Sequence, residues 1–246
     1  RNKLGQAYLK QEFYDLAEAQ LLRANNIDPE NLSYLLSLGE LAEKRDLFSN
    51  AEAYLKAAWE LDKEDYKAPR ALASLYYFKL SQKQKAHRTL DEAIDADGVL
   101  DFQDFFCIYD KVHYYALSNN KAGLRREMNR IKEIAQSDQE KDYASYMLSE
   151  TGMQLYELHN YSLCKEFVAT ASQLRPDEKS LSEMLKSVTN NANIMSQMKK
   201  INDSNAIHEF VKYFCTMLVG IYFDELSNED TDVRKSFETM GSLMET

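Results

Sequence analysis

The chain has 246 residues, of which 44% are apolar and 28% are charged, proportions that are ordinary for a soluble globular protein. Seven Gly and three Pro are few for this length. Their scarcity excludes collagen-like, linker-like and Gly/Pro-rich all-β classes, and it predicts long helices, short loops and few turns with φ > 0. The net charge of −10 disfavours nucleic acid and anionic membranes as general partners, although local basic patches remain possible.

The cysteines and the longest apolar run bear on the compartment of the protein. Cys107, Cys164 and Cys215 are far apart and odd in number, so they favour a reducing, cytoplasmic compartment over a disulfide framework. The apolar run 210–223 is shorter than the ~20 residues that span a bilayer, so no membrane insertion is predicted. No signal peptide is recognised, and the start at Arg1, in mid-pattern, indicates a fragment or a processed product.

In chain order, the first feature is a pattern that recurs after 34 residues. Each copy has a glycine in a first helix, then a small residue followed one turn later by a large one in a second helix. The first two copies contain Gly5, Ala17 and Leu21, and Gly39, Ala51 and Leu55. A mid-helix glycine costs ~1 kcal/mol relative to Ala, which is tolerable where a second helix must approach closely. The pattern therefore predicts stacked helix pairs with a continuous core.

Later segments follow the pattern less closely. In the third copy Ala73 takes the place of glycine, and Ala86 and Leu90 follow after a slip of one residue. The regular spacing returns with Gly152 and Cys164. Helical spacing of apolar residues predicts further helices over 101–118, 121–136, 178–200, 204–226 and 230–244. The total is about thirteen helices.

These positions resemble the tetratricopeptide repeat (TPR) family, whose pattern is Leu-Gly-x-x-Tyr, then Ala-x-x-x-Phe, then a closing Pro. The clearest match is the first copy, Leu4 to Pro29, and the match covers 1–97 and 145–178. The resemblance implies an all-α, right-handed superhelical solenoid of antiparallel helix pairs with degenerate C-terminal repeats. We divide it into a repeat array over 1–178, with a divergent pair at 101–136, and C-terminal capping helices over 179–246.

Motifs that carry chemistry are weak. Three Ser-x-x-Lys matches lack the companion motifs of serine acylases, and the calcium-loop-like run beginning at Asn228 lacks the required glycine. No two of the four histidines have ligand spacing. The sequence therefore predicts a non-catalytic protein with no cofactor and no metal.

A basic helix and an apolar helix stand out. The basic helix contains Lys121, Arg125, Arg126, Arg130 and Lys132, and it indicates either an anionic partner or, as we favour, the polar outer face of an amphipathic helix. The segment around 210–223 is apolar nearly all round. It predicts a buried capping helix or a self-association surface within 204–246.

The TPR resemblance also implies a function. In the family the first helix of each pair lines a concave groove, which would bind an extended peptide or a helix of a partner protein. The groove residues would be Gln6, Lys10, Glu40, Lys44, Arg70, Tyr77, Met153 and Tyr156, to which we add His113 on the fourth predicted inner helix. We expect a protein-interaction scaffold or adaptor, with a signalling-peptide sensor or the repeat region of a larger enzyme, such as a glycosyltransferase, as alternatives. Nucleic acid is not an expected partner.

Overall fold

The computed structural model describes residues 1–203, and this part of the chain contains eleven α-helices. The predictions made for 204–246, including the remaining helices and the capping or self-association surface, lie outside the described residues. The helices are Asn2–Lys10 (α1), Tyr14–Ile27 (α2), Leu32–Lys44 (α3), Phe48–Leu61 (α4), Lys67–Ser74 (α5), Lys83–Ile94 (α6), Phe105–Leu117 (α7), Lys121–Ile134 (α8), Asp138–Glu157 (α9), Tyr161–Leu174 (α10) and Lys179–Asp203 (α11).

Consecutive helices pack in antiparallel pairs, as the repeat pattern predicts. The pairs are α1 with α2, α3 with α4, α5 with α6, α7 with α8 and α9 with α10, and α11 packs on α10. Short turns join the two helices of each pair, which favours antiparallel neighbours. We call the odd-numbered helices inner and the even-numbered helices outer. The described chain is an all-α array in which each pair contacts mainly the next.

The glycines of the pattern lie where the two helices of a pair approach most closely. A Cβ added to Gly5 or Gly39 would lie 2.7 Å from the side chain of Leu21 or Leu55. The same distance separates a Cβ at Gly152 from Val168. These contacts confirm that glycine stands at these helical positions because a larger residue would clash with the second helix of the pair.

We expect Gly39→Ala to lower the free energy of unfolding by about 1–3 kcal/mol, because Leu55 is buried and cannot move away. At an exposed helical site the same change would stabilise by ~1 kcal/mol. Urea unfolding followed by circular dichroism measures the difference. As a control, Gly39→Ala should become favourable in a Leu55→Ala background, where the clash is absent. If Gly39→Ala alone stabilised the chain, Gly39 and Leu55 would not be in close contact.

The one-residue slip of the third copy corresponds to a π-helical turn. Residues Leu75–Lys79 form this turn directly after α5. A π-turn accommodates one extra residue in a helix. Ala73 and Ala86 stand 13 positions apart, whereas Gly39 and Ala51 stand 12 apart. The insertion is therefore absorbed within the inner helix, and the outer helix α6 keeps its packing.

The prediction of few turns with φ > 0 is wrong. Each turn from an inner to an outer helix contains a non-glycine residue with φ between 52° and 61°, namely Glu12, Asp46, Ser81, Asn119 and His159. In four of these turns the next residue donates its backbone N–H to a carbonyl five positions back, as Phe13 does to Tyr8 and Leu47 to Ala42. After Ser81, which follows the π-turn, Gln82 donates instead to the carbonyl of Tyr76, six positions back. The bond across five positions is that of a Schellman helix end, which needs a left-handed residue whether or not glycine supplies it.

Candidate functional site

The inner helices present a face that neither their outer partners nor the neighbouring inner helices cover. On α9, Gly152 meets α10, and the carbonyl of Met147 accepts a hydrogen bond from Tyr109 of α7 at 2.8 Å. The remaining face carries Tyr146, which is 60% exposed, and Met153, which is 51% exposed. We call the corresponding surface along the odd-numbered helices the inner wall.

Polar side chains join neighbouring inner helices. Asn2 and Gln6 of α1 donate to the hydroxyls of Ser33 and Ser37 of α3, at 3.2 and 2.9 Å. At the other end of the array, Asn191 of α11 donates to the hydroxyl of Tyr156 of α9 at 3.0 Å. Two of the polar groups that the sequence suggests as ligand contacts, those of Gln6 and Tyr156, thus have partners within the fold.

The centre of the inner wall is an ion pair between α5 and α7. Arg70 donates from Nε and Nη2 to the two carboxylate oxygens of Asp110, at 2.6 and 2.9 Å. Burial alone would lower the pKa of Arg70, but the hydrogen bonds and charge of Asp110 outweigh burial and raise that pKa. The two-pronged geometry fixes the guanidinium plane. The charge of Arg70 is therefore largely occupied by Asp110, and its side chain is only partly accessible to a ligand.

Aromatic rings surround this ion pair. Tyr66 and Phe106 stack with their centroids 4.7 Å apart, and the guanidinium carbon of Arg70 lies 5.0 Å from the centroid of Phe106. Tyr143 of α9 meets the edge of Phe106 at 6.1 Å. The half-buried rings of Tyr66 and Phe106 thus connect to the exposed ring of Tyr143. We call this set, together with Tyr146 and Met153, the aromatic strip of the inner wall.

The nine residues predicted for the groove fall into three groups. Exposed side chains are those of Lys10, Glu40, Lys44 and Met153. Side chains with a partner inside the fold are those of Gln6, Arg70, His113 and Tyr156, where His113 donates from Nδ1 to the carbonyl of Tyr109. Tyr77 is buried. The structure places these residues along successive inner helices and does not bring them together in one pocket.

Tyr77 lies in the core and not on the open surface of the wall. It is 7% exposed, its ring stacks on Tyr114 at 4.2 Å, and its hydroxyl donates to the carbonyl of Tyr114 at 3.0 Å. Burial raises its pKa. Its neighbour Tyr76 is also buried and donates to Glu52 at 2.8 Å. Two adjacent tyrosines are accommodated inside because each hydroxyl reaches an acceptor.

The sequence interpretation missed Asp110 and most of the aromatic strip. Asp110 carries no local signal, because its role depends on Arg70, which is 40 residues earlier. A signal did exist on α9. Tyr143, Tyr146 and Met153 stand three and seven positions apart, which places three large side chains on one helical face. That face differs from the one occupied by Gly152, so it cannot be the face packed on α10.

The basic helix α8 is the polar outer face that the sequence favours, and four of its five cations, all except the exposed Lys121, have a partner in the fold. Arg125 pairs with Glu166 of α10, and Lys132 donates to Gln173 at 2.8 Å. Arg126 and Arg130 both bind Glu127, at 2.8 and 3.2 Å. These contacts leave Lys121, at the start of α8, as the cation of this helix that has no partner among the described residues.

Beneath α8 lies a buried ion pair. Glu127 is 0% exposed, and its Oε1 is 3.3 Å from Nζ of Lys111, which is 2% exposed. Lys111 also reaches Asp91 on α6. The pair therefore joins three consecutive helices, α6, α7 and α8, through charge in the core.

Other features bear on chemistry. Cys107 and Cys164 are buried free thiols, and burial raises the pKa of Cys107 to about 12, far from a reactive thiolate. Among residues 1–203, no three His, Cys, Asp or Glu side chains are grouped as metal ligands. No helix of this described part is long and apolar enough to cross a membrane.

Comparisons with known proteins concern the fold. No protein-family model and no curated protein sequence matches the chain. Among solved structures, that of MamA protein matches at 18% identity with a TM-score of 0.45, covering 72% of this chain and 91% of that one. YrrB, a TPR protein with an unusual peptide-binding site, matches at 14% and 0.41, covering 75% and 90%. A TPR repeats protein from Bacteroides fragilis matches at 14% and 0.39, covering 77% and 96%.

The fold assignment rests on the chain's own geometry. Its helices pair consecutively, and Gly5 and Gly39 make the same contact 34 residues apart. Gly152 repeats the contact in the fifth pair. By these features the described chain has a tetratricopeptide-like fold.

Proposed function

We propose that this chain is a non-catalytic interaction scaffold that binds a segment of a partner protein on the aromatic strip of its inner wall. The observation that carries the proposal is the exposure of Tyr146 and Met153 on α9, a face that no helix within residues 1–203 covers. Exposed aromatic and methionine side chains provide large contact area at interfaces. The free thiols suit the cytoplasmic location inferred from the sequence.

The charges beside the strip indicate the composition of the bound segment. Glu150 lies between Tyr146 and Met153, and Glu157 follows one turn later, both exposed. Arg70 is held by Asp110, so the strip presents more free negative than positive charge. A segment with large apolar residues and one or two Lys or Arg side chains complements this surface.

The test uses random dodecapeptides displayed on phage and selected on the immobilised chain. We expect a selected peptide, titrated by fluorescence anisotropy, to lose at least about tenfold in affinity for Tyr146→Ser/Met153→Ser, equivalent to ~1.4 kcal/mol. Both side chains are exposed, so thermal stability should be nearly unchanged. The matched control is Leu22→Ser/Ile27→Ser on the outer helix α2, where two exposed apolar residues are removed. Equal affinity for all three proteins would place the binding surface elsewhere.

A further inference from the structure

The charged residues of the helix connections within residues 1–178 are distributed unevenly between the two edges of the array. In a stack of antiparallel pairs, the turns from inner to outer helices lie on one edge, and the connections from outer to inner helices lie on the opposite edge. The opposite-edge connections contain eleven acidic and two basic residues; they are 28–31, 62–66, 95–104, 135–137 and 175–178. The inner-to-outer turns contain two acidic residues and one basic residue; they are 11–13, 45–47, 80–82, 118–120 and 158–160. Among these connections, the acidic residues are therefore concentrated at the edge opposite the inner-to-outer turns.

Two neighbouring turns on the less acidic edge carry exposed apolar side chains. Phe78 at the end of the π-turn is 56% exposed, and Leu117 at the end of α7 is 64% exposed. The rings of Phe78 and Tyr114 are 5.8 Å apart, so the two turns are adjacent. Neither turn needs an exposed apolar residue for its backbone hydrogen bonds. Phe78 packs one side of its ring on Tyr77 and Tyr114, but more than half of Phe78 and of Leu117 stays exposed.

Three exposed lysines flank these apolar side chains. Lys79 follows Phe78, Lys83 begins α6, and Lys121 begins α8. Nζ of Lys83 lies 5.4 Å from the ring of Tyr77, at the base of the patch. The stretches 76–86 and 114–124 contain no acidic residue. We call Phe78, Leu117 and these three lysines the turn-edge patch.

We propose that the turn-edge patch docks the chain on the surface of an anionic phospholipid membrane. The apolar side chains are exposed at adjacent tight turns, which suits insertion at a planar interface. The lysines supply the charge that attracts acidic headgroups.

The acidic connections do not prevent this docking, because they lie at the opposite edge of the described residues. An outer helix such as α8 has 14 residues, so the acidic edge stands about 21 Å from the turn-edge patch. Surface charges are largely screened beyond a Debye length of about 8–10 Å at moderate salt. Anionic lipid beneath the turn-edge patch therefore interacts mainly with its lysines. The proposal is independent of the peptide surface proposed above, because that surface lies on another face of the array.

The experiment is co-sedimentation of the full chain with phosphatidylcholine vesicles, with and without about 30% phosphatidylserine. We expect binding to the phosphatidylserine vesicles that weakens as salt is raised and little binding to phosphatidylcholine alone. Phe78→Ser/Leu117→Ser and, separately, Lys79→Gln/Lys83→Gln/Lys121→Gln should each lower the bound fraction at least about fivefold. Val99→Ser/Leu100→Ser removes two exposed apolar residues from the opposite edge and should leave binding unchanged.

The outcomes separate the patch from other sources of binding. Residues 204–246 are present in every variant, so any lipid affinity of that segment is common to all of them. If patch and opposite-edge variants bind alike, or if the unsubstituted chain does not bind, the proposal is overturned. A different result would assign the patch to a protein partner. In that case the unsubstituted chain does not bind vesicles, and the phage-selected peptide no longer binds Phe78→Ser/Leu117→Ser. The selected peptide should otherwise bind the patch variants normally, so failure here leaves the inner-wall proposal intact.

Discussion

Replacing Glu127 by methionine should lower the free energy of unfolding by about 3–5 kcal/mol, the largest single-residue effect we expect in this chain. Glu127 is fully buried and binds Lys111, Arg126 and Arg130. Without it, Lys111 stays buried with Asp91 as its remaining partner, and a buried charge that loses a partner is costly. Urea unfolding followed by far-ultraviolet circular dichroism measures the loss.

Two further variants separate the loss of a charge partner from the loss of packing. Lys111→Met should cost less than Glu127→Met, because Glu127 keeps both arginines. The double variant Lys111→Met/Glu127→Met should be more stable than Glu127→Met alone, since no uncompensated core charge remains and the arginines reach solvent more easily. If the double variant loses the sum of the two single losses, the pair does not act as a coupled unit.

Glycine at the inner-to-outer turns should stabilise the chain. Glu12→Gly, Asp46→Gly and Ser81→Gly together are expected to raise the free energy of unfolding by about 2 kcal/mol. A non-glycine residue in the left-handed region is strained by about 1–2 kcal/mol, and the greater freedom of glycine in the unfolded chain offsets part of the gain. The three residues are in different helix pairs, so their effects should add. The midpoint of thermal unfolding reports the gain.

The matched control is alanine at the same three positions. Alanine removes the same side chains but keeps a Cβ, so Glu12→Ala/Asp46→Ala/Ser81→Ala should give no comparable gain. Equal stabilisation by alanine and glycine would mean that the side chains, and not the backbone conformation, carry the cost.

Sequence reasoning succeeds for the fold where the chemistry is local. Gly5 and Gly39 predict that the two helices of a pair approach closely, because glycine within a helix lowers stability unless it allows such packing. The slip between Ala73 and Ala86 is visible as a spacing, but its solution, a π-turn inside the inner helix, is not. The count of glycines misleads about the turns, since Glu, Asp, Ser, Asn and His adopt the left-handed conformation that a Schellman end requires.

The candidate site is less predictable because its side chains depend on partners one repeat away. Arg70 can be recognised as a cation, but whether it is free depends on Asp110. Tyr77 can be recognised as an aromatic residue on an inner helix, but stacking on Tyr114 draws it into the core. Glu127 and Lys111 appear in the sequence as ordinary charges of amphipathic helices, and only the packing of three helices shows that both are buried.

The polar links of the inner wall have a consequence for how the chain acquires its structure. They join residues 31 to 42 positions apart, from Asn2 with Ser33 to Tyr109 with Thr151. Forming each link closes a loop hardly longer than one repeat, and the entropy cost of such a closure is modest and similar throughout the array. Folding can therefore begin at any helix pair and spread to the neighbouring pairs in both directions. Under tension applied to its two ends, such an array should come apart one pair at a time.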